Sequence, residues 1–334
     1  MEQTGLQAPV SSTAGTHDST MWSTLLHAGL AGSFMNFPHV PPDAALLREA
    51  KAGAAVYGIP WDSTSISRTG ANYGPRGMRE ISCQFLSYNA DLDFDVVEAL
   101  SPVDCGDTPV IPANAERTFA QSQQDIKQIL AAGALPVTLG GDHSITIPAV
   151  RAVAETFKRP SLILIDTHFD TAVDMAGETL NHCCPVSRAV DAGFPPENIV
   201  LIGINGWQNP RPEMMYCRER GITVITLREL WRQGIQPAIE RALTVATDGS
   251  DGIYLSVDID VLDTAYAPGT CTPTPAGLTS RELIELVEGI SSNGLLGVDV
   301  VEVAPSLDAE SSTAKIGARV AVDAMAFHAG ARYP

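Results

Sequence analysis

The chain has 334 residues, 45% of them apolar, and a formal charge of −18, so it can bury a full core in one large domain or two ordinary ones. The acid excess argues against nucleic acid and anionic membrane as partners and favours cations, whether metal ions or a positively charged small molecule. No apolar run approaches the roughly 18 residues of a membrane span, and no basic start followed by an apolar stretch opens the chain. A soluble cytoplasmic protein is expected.

Residues 1–20 are rich in Ser, Thr and Gly without apolar period and read as a flexible tail. Residues 21–50 form an apolar arm carrying Trp22, Leu25, Leu26, Leu30, Phe34, Met35 and Phe37, which packs on its own domain or on a neighbouring subunit. From residue 51 to 334 short β-rich runs alternate with helix-compatible stretches. The predicted strands are 55–59, 102–104, 135–139, 162–166, 199–204, 222–226, 253–258 and 296–303. The predicted helices are 115–132, 147–157, 211–220, 227–246, 280–291 and 312–329. This alternation specifies a single α/β domain of three layers, with a mainly parallel central sheet and helices on both faces.

Ligands of such sheets bind beyond the carboxyl ends of the strands, and three of those ends are rich in His and Asp. The first is Gly140-Gly141-Asp142-His143-Ser144, where two glycines allow a tight path and His143 is presented before a helix. In the second, Asp166-Thr167-His168-Phe169-Asp170, a continuous strand would hold the outer carboxylates about 13 Å apart. The chain must turn near His168 if all three side chains are to converge. The third, Ser256-Val257-Asp258-Ile259-Asp260, puts two acids on one face of a strand end. Acids beside apolar runs are costly unless paired or bound to metal. The mixed His and Asp set suits Mn²⁺, Ni²⁺, Fe²⁺, Co²⁺ or Zn²⁺.

These motifs, together with Asp263, Ala267–Thr270, Gly74-Pro75-Arg76 and Val300-Val301-Glu302-Val303, make the chain resemble the ureohydrolase family of arginases, agmatinases and guanidinobutyrases. The resemblance spans about residues 58–329 and implies an arginase-like fold. It implies that His143, Asp166, Asp170 and Asp258 hold one divalent ion, Mn²⁺ or Ni²⁺, and that Asp166, His168, Asp258 and Asp260 hold a second. It further implies that hydroxide formed between the ions attacks a guanidinium carbon and releases urea. Asp170 would aim that hydroxide, His182 would shuttle the proton, and Glu302 would pair with the guanidinium. Relatives form trimers or hexamers, so a homo-oligomer is expected, with pairing to a paralogous subunit as the alternative.

The chain departs from the family at Thr167, Phe169, Cys183, Thr264, Cys271 and Ala276-Gly277, and several of these put bulk where relatives are lean. The segment 171–181 matches the region where relatives contact the substrate tail. It holds Asp174 and Glu178 but no Lys or Arg, which leans away from a carboxylate tail. Trp207 is a candidate wall for cation–π contact. The expected substrate is a small or unusual guanidine or biguanide such as metformin, with agmatine or guanidinobutyrate as the alternative. Two rivals of other kinds are a non-catalytic regulatory paralogue, whose signature would be lost ligands, and a single-metal amide hydrolase. The six cysteines form no C-x-x-C pair and are expected to be reduced thiols, with Cys183 and Cys271 shaping the pocket.

Overall fold

Strands apolar on both faces need cover on both sides, and the chain supplies it. The structure is a computed structural model that describes residues 32–333; the expected tail, and Trp22, Leu25, Leu26 and Leu30 of the arm, lie outside them. The sheet strands are β1 (Ala54–Ile59), β2 (Val103–Asp107), β3 (Leu135–Gly140), β4 (Pro160–Ile165), β5 (Ile199–Ile204), β6 (Thr223–Thr226), β7 (Gly252–Asp258) and β8 (Leu295–Val301). They form one sheet in the order β2-β1-β3-β8-β7-β4-β5-β6. Every pairing within it is parallel.

Alternate strand residues enter two separate cores. Val56, Val137, Ile163, Val200 and Leu255 pack on one side with Ile239, Leu283, Leu286 and Ala321. Tyr57, Leu162, Leu164, Leu201 and Tyr254 pack on the other with Phe119, Ile126, Val150 and Ala189. The period of two along each strand thus becomes two helical layers around one sheet. Phe34, Met35 and Phe37 of the arm are buried against the chain's own core, where Phe34 N donates to Asp104 Oδ2 at 2.6 Å and Met35 N to Ser82 Oγ at 2.8 Å.

The predicted helix 227–246 is two helices, Leu227–Gln233 and Ile235–Ala246. The break is Gly234, at φ +87° and ψ 173°, where a helix cannot continue. Short helices at Gly74–Ser82 and Pro185–Ala192 escaped the reading, because a stretch of under three turns shows too little period. No described helix is long and apolar enough to cross a membrane.

Neighbours in the middle of the sheet, β3, β8, β7, β4 and β5, bring their carboxyl ends side by side. Tight backbone approach there requires glycine. A Cβ on Gly141 would stand 1.8 Å from Trp61 O, because Gly141 N donates to Ile59 O and Asp142 N to Trp61 O. Gly203, at φ +105°, would push a Cβ to 2.5 Å from Val261 Cγ2 and 2.9 Å from Asp166 O. Gly203→Ala is therefore expected to destabilise the protein by more than about 1 kcal/mol. Urea titration measures this, and an unchanged midpoint would contradict the steric argument.

Candidate functional site

The strand β3 ends at Gly140, and the following turn, His143–Ile145, is capped by Asp142, which accepts Ser144 N at 3.1 Å. Asp142 also accepts Thr64 N and Thr64 Oγ1 at 3.2 and 2.9 Å, so its role is to fasten a loop. His143 is thereby pointed inward and is 1% exposed. Strand β4 stops at Ile165, one residue before Asp166, and Asp170 lies at φ +49°. The expected turn is present, and it brings Asp166 and Asp170 to the same atom.

That atom is His143 Nδ1, which lies 3.1 Å from Asp166 Oδ2, 3.0 Å from Asp170 Oδ2 and 3.0 Å from Asp258 Oδ2. It has no hydrogen bond, nor has Asp166 Oδ2 or Asp260 Oδ1, although all are buried. Beside this set, His168 Nδ1 lies 3.4 Å from Asp166 Oδ1 and 3.2 Å from Asp260 Oδ2. Two groups of donors therefore converge, His143 with Asp166 and Asp258, and His168 with Asp166 and Asp260. Ligands at right angles about 2.1 Å from one divalent ion stand about 3.0 Å apart. The spacing, the orphaned lone pairs and the hard oxygen-rich donor set all fit a pair of divalent cations sharing Asp166. Neither Cys183 nor Cys271 belongs to either group.

Protons alone stabilise this cluster poorly. Burial would lower the His143 imidazole, but the carboxylates of Asp166, Asp170 and Asp258 set around Nδ1 raise it well above its ordinary value. His168 is likewise raised against burial, first by the charge of Asp260. Burial, then the charges of Asp260 and Asp166, push Asp258 well up. Asp166 is lowered despite its burial because both imidazoles bond to it.

Glu302 follows β8 in the left-handed region at φ +62°, a conformation that costs a non-glycine residue free energy. Its Oε1 accepts His143 N at 2.9 Å and lies 3.1 Å from His182 Nδ1, and its buried Oε2 has no partner. His182 Nε2 accepts Ile66 N at 3.1 Å. Burial lowers this imidazole, while Cys183 and Glu302 pull it up to about 11. The Ile66 contact, which needs a lone pair on Nε2, describes the ring in this conformation, neutral and protonated on Nδ1. A proton on Nε2 would require that this Ile66 contact be broken.

These groups floor a cavity of about 600 Å³ whose walls include Ile66, Met175, Cys183, Trp207, Pro210 and Glu213. Trp207 is fully exposed at the rim. Asp174 and Glu178 do not line the cavity, which corrects their expected role. Both lie on an exposed turn, where Asp174 Oδ1 accepts Gly177 N and Glu178 Oε1 accepts Leu180 N, and Met175 faces the cavity instead. Of the expected bulk Cys183 alone borders the cavity, Thr167 and Phe169 are buried behind it, and Cys271 is buried against Glu302 of its lining. The acid that sequence reasoning missed is Glu213, in the first turn of helix Arg211–Arg220. Its Oε2 accepts Thr171 N at 3.0 Å, and burial and then Asp170 push its carboxyl up to about 7. Nothing in its local sequence marks it; only the approach of β5 to β4 puts it there.

The chain matches the Arginase family over residues 52–327. It is 37% identical over 268 residues to the mitochondrial agmatinase of Gallus gallus, covering 80% of this chain and 78% of that protein. It is 32% identical over 293 residues to the guanidinobutyrase of Pseudomonas aeruginosa, covering 87% and 90%. The crystal structure of proclavaminate amidino hydrolase from Streptomyces clavuligerus superposes with a TM-score of 0.81 at 30% identity, covering 89% of this chain and 97% of that one.

A pH signature follows from the shifts. Asp260 is pushed up to about 6, first by burial, Glu213 rises to about 7, and the two cluster imidazoles rise. Each of these groups binds protons more tightly folded than unfolded, so stability is lost as pH rises through its folded value. Bound metal competes with those protons and reverses the sign. Chelator-treated protein is expected to melt at lower temperature at pH 8 than at pH 5, and Mn²⁺ is expected to raise the melting temperature most at pH 8. A Mn²⁺ effect equal at both pH values would contradict the proton–metal competition.

Proposed function

The chain belongs to the arginase family and is a metal-dependent amidinohydrolase, and from that premise we propose a binuclear hydrolase of a small cationic guanidine-type compound. It cleaves a C–N bond and releases urea, or a close analogue, and an amine. The observation that carries this reading is His143 Nδ1, buried without a hydrogen-bond partner and set among three carboxylates. In this reading His143, Asp166, Asp170 and Asp258 hold one ion, and Asp166, His168, Asp258 and Asp260 hold the other, as Mn²⁺ or Ni²⁺. When bound, two such cations acidify a water and stabilise charge developing on the attacked carbon's substituents.

The chain's own residues supply the rest. Glu302 Oε2, buried without a partner, accepts a guanidinium N–H and fixes the plane of the reacting group. Asp170, in the cavity lining, accepts a hydrogen bond from the nucleophile and aims it. Once the Ile66 amide has moved off Nε2, His182 takes up a proton there from solvent, favoured by Glu302 at Nδ1, and passes it to the departing nitrogen. Trp207 at the rim covers the cationic substrate face.

The walls support a substrate whose remote end is cationic or apolar. Ile66, Met175, Trp207 and Pro210 offer apolar surface, Glu213 adds an acid, and among the described residues no Lys or Arg lines the cavity. A biguanide such as metformin, with methyl groups on a protonated core, matches that lining. Agmatine is the second reading, favoured by Glu213 as a partner for its terminal amine. Guanidinobutyrate, whose tail is a carboxylate, finds no counter-charge on those walls.

Two measurements test these roles. Across guanidine, agmatine, 4-guanidinobutyrate, arginine and metformin, each with Mn²⁺ and with Ni²⁺, kcat/KM for product release is expected to be highest for a substrate without a carboxylate; turnover confined to arginine or guanidinobutyrate would sink the assignment. His182→Ala is expected to lower kcat on the best substrate by about 10²–10⁴-fold with metal content unchanged, and full activity in that variant would remove the proton shuttle from the scheme.

A further inference from the structure

Asp299, in β8, is fully buried, takes no part in the reaction as proposed, and forms no ion pair with a Lys or Arg among the described residues. Instead, three hydroxyls surround it. Its Oδ2 accepts Tyr254 Oη at 2.7 Å and Thr146 Oγ1 at 2.9 Å, and its Oδ1 accepts Ser256 Oγ at 2.6 Å. Ser256 has one proton, and the short contact spends it on Asp299. Its oxygen therefore presents only lone pairs to His143 Nε2, 3.0 Å away. That nitrogen must carry a proton, so in the neutral ring the Nδ1 lone pair faces Asp166, Asp170 and Asp258.

We infer that Asp299, acting through Ser256, is a positioning residue that holds His143 in its Nε2–H form and sets how strongly His143 binds its ion. The inference rests on the proposed reading of His143 as a metal ligand. A buried anion behind the hydroxyl stabilises the positive charge an imidazole acquires when it donates to a cation, and it locks the ring plane. The second imidazole is braced independently. His168 Nε2 lies 2.9 Å from Gln208 Oε1, a neutral amide oxygen that also accepts Thr274 Oγ1 at 3.1 Å. The two supports share no atom, so removing one is a perturbation of one ion.

The experiment is calorimetric titration of chelator-treated full-length protein with Mn²⁺, with metal content per chain counted independently, for the natural chain and for Ser256→Ala, Asp299→Asn and Tyr254→Phe. Ser256→Ala removes the partner of Nε2, Asp299→Asn keeps shape while removing charge, and Tyr254→Phe leaves the Ser256–Asp299 contact in place. The natural chain is expected to take up two ions. Ser256→Ala and Asp299→Asn are each expected to lose about 10–100-fold in affinity for one ion while holding the other within about threefold, and Tyr254→Phe is expected to follow the natural chain. Either of the first two variants suffices if the other fails to fold.

Unchanged affinities in both, with two ions in the natural chain, overturn the inference alone. Equal weakening of both ions, together with a lower melting temperature of the chelator-treated variant, assigns Asp299 to the core and overturns it too. Uptake of fewer than two ions by the natural chain overturns the binuclear reading, and the inference falls with it.

Discussion

Four carboxylates and two imidazoles crowded at the ends of adjacent strands constitute the constraint around which this molecule is built. Asp166, Asp258 and Asp260 are at most 2% exposed, and Asp170 is 7% exposed. Ionised carboxylates so buried and so close repel one another, and the two imidazoles cannot balance four of them without a further positive charge. A pair of divalent cations would supply that charge, as the proposed reading requires. The acidic bias of the whole chain has a local focus here.

Holding such a cluster requires backbone that ordinary residues adopt at a cost. Asp170 and Glu302 both sit at positive φ, and each ends a segment that must stop running straight so that a carboxylate faces the cavity. Gly141 lets the 59–61 loop pass within contact of the β3 end. Around these points hydrogen bonds fix the ring orientations: Ser256 for His143, Gln208 for His168, and Glu302 with Ile66 for His182. The supports belong to three different strand ends and one loop, so the site is rigid only when the sheet is complete.

The outer part of the cavity follows a different logic. Its walls combine apolar side chains with the neutral polar Gln208, Asn209 and Thr272 and the acid Glu213, and most come from the segments after β1, β4 and β5, which hydrogen-bond to one another. Asn209 bridges two of them, donating to Thr167 O and Asn205 O at 2.8 Å and accepting Phe169 N at 3.1 Å. The reacting end is thus set by the sheet and the remote end by loops. Agmatinase and guanidinobutyrase relatives at comparable identity are what such a division produces, since loops vary without disturbing the strands.

The order of β-rich and helical stretches, the three His and Asp motifs, and hence the floor of the site were legible in the sequence. Short continuous apolar runs alternating with helical stretches specify buried parallel strands, and candidate ligands clustered within five residues carry their own geometry. The helix break at Gly234 was not legible, because one glycine in a helical pattern is tolerated unless the tertiary path uses its freedom. Asp174 and Glu178 read as substrate contacts because their segment is correctly adjacent, yet which side of a turn faces a cavity depends on the loop's packing. Glu213, Gln208 and Asp299 carry no local signal at all. They matter because β5 lies beside β4 and β8 beside β7, and only the order of strands in the folded sheet brings residues so far apart in the chain to one imidazole or one cavity wall.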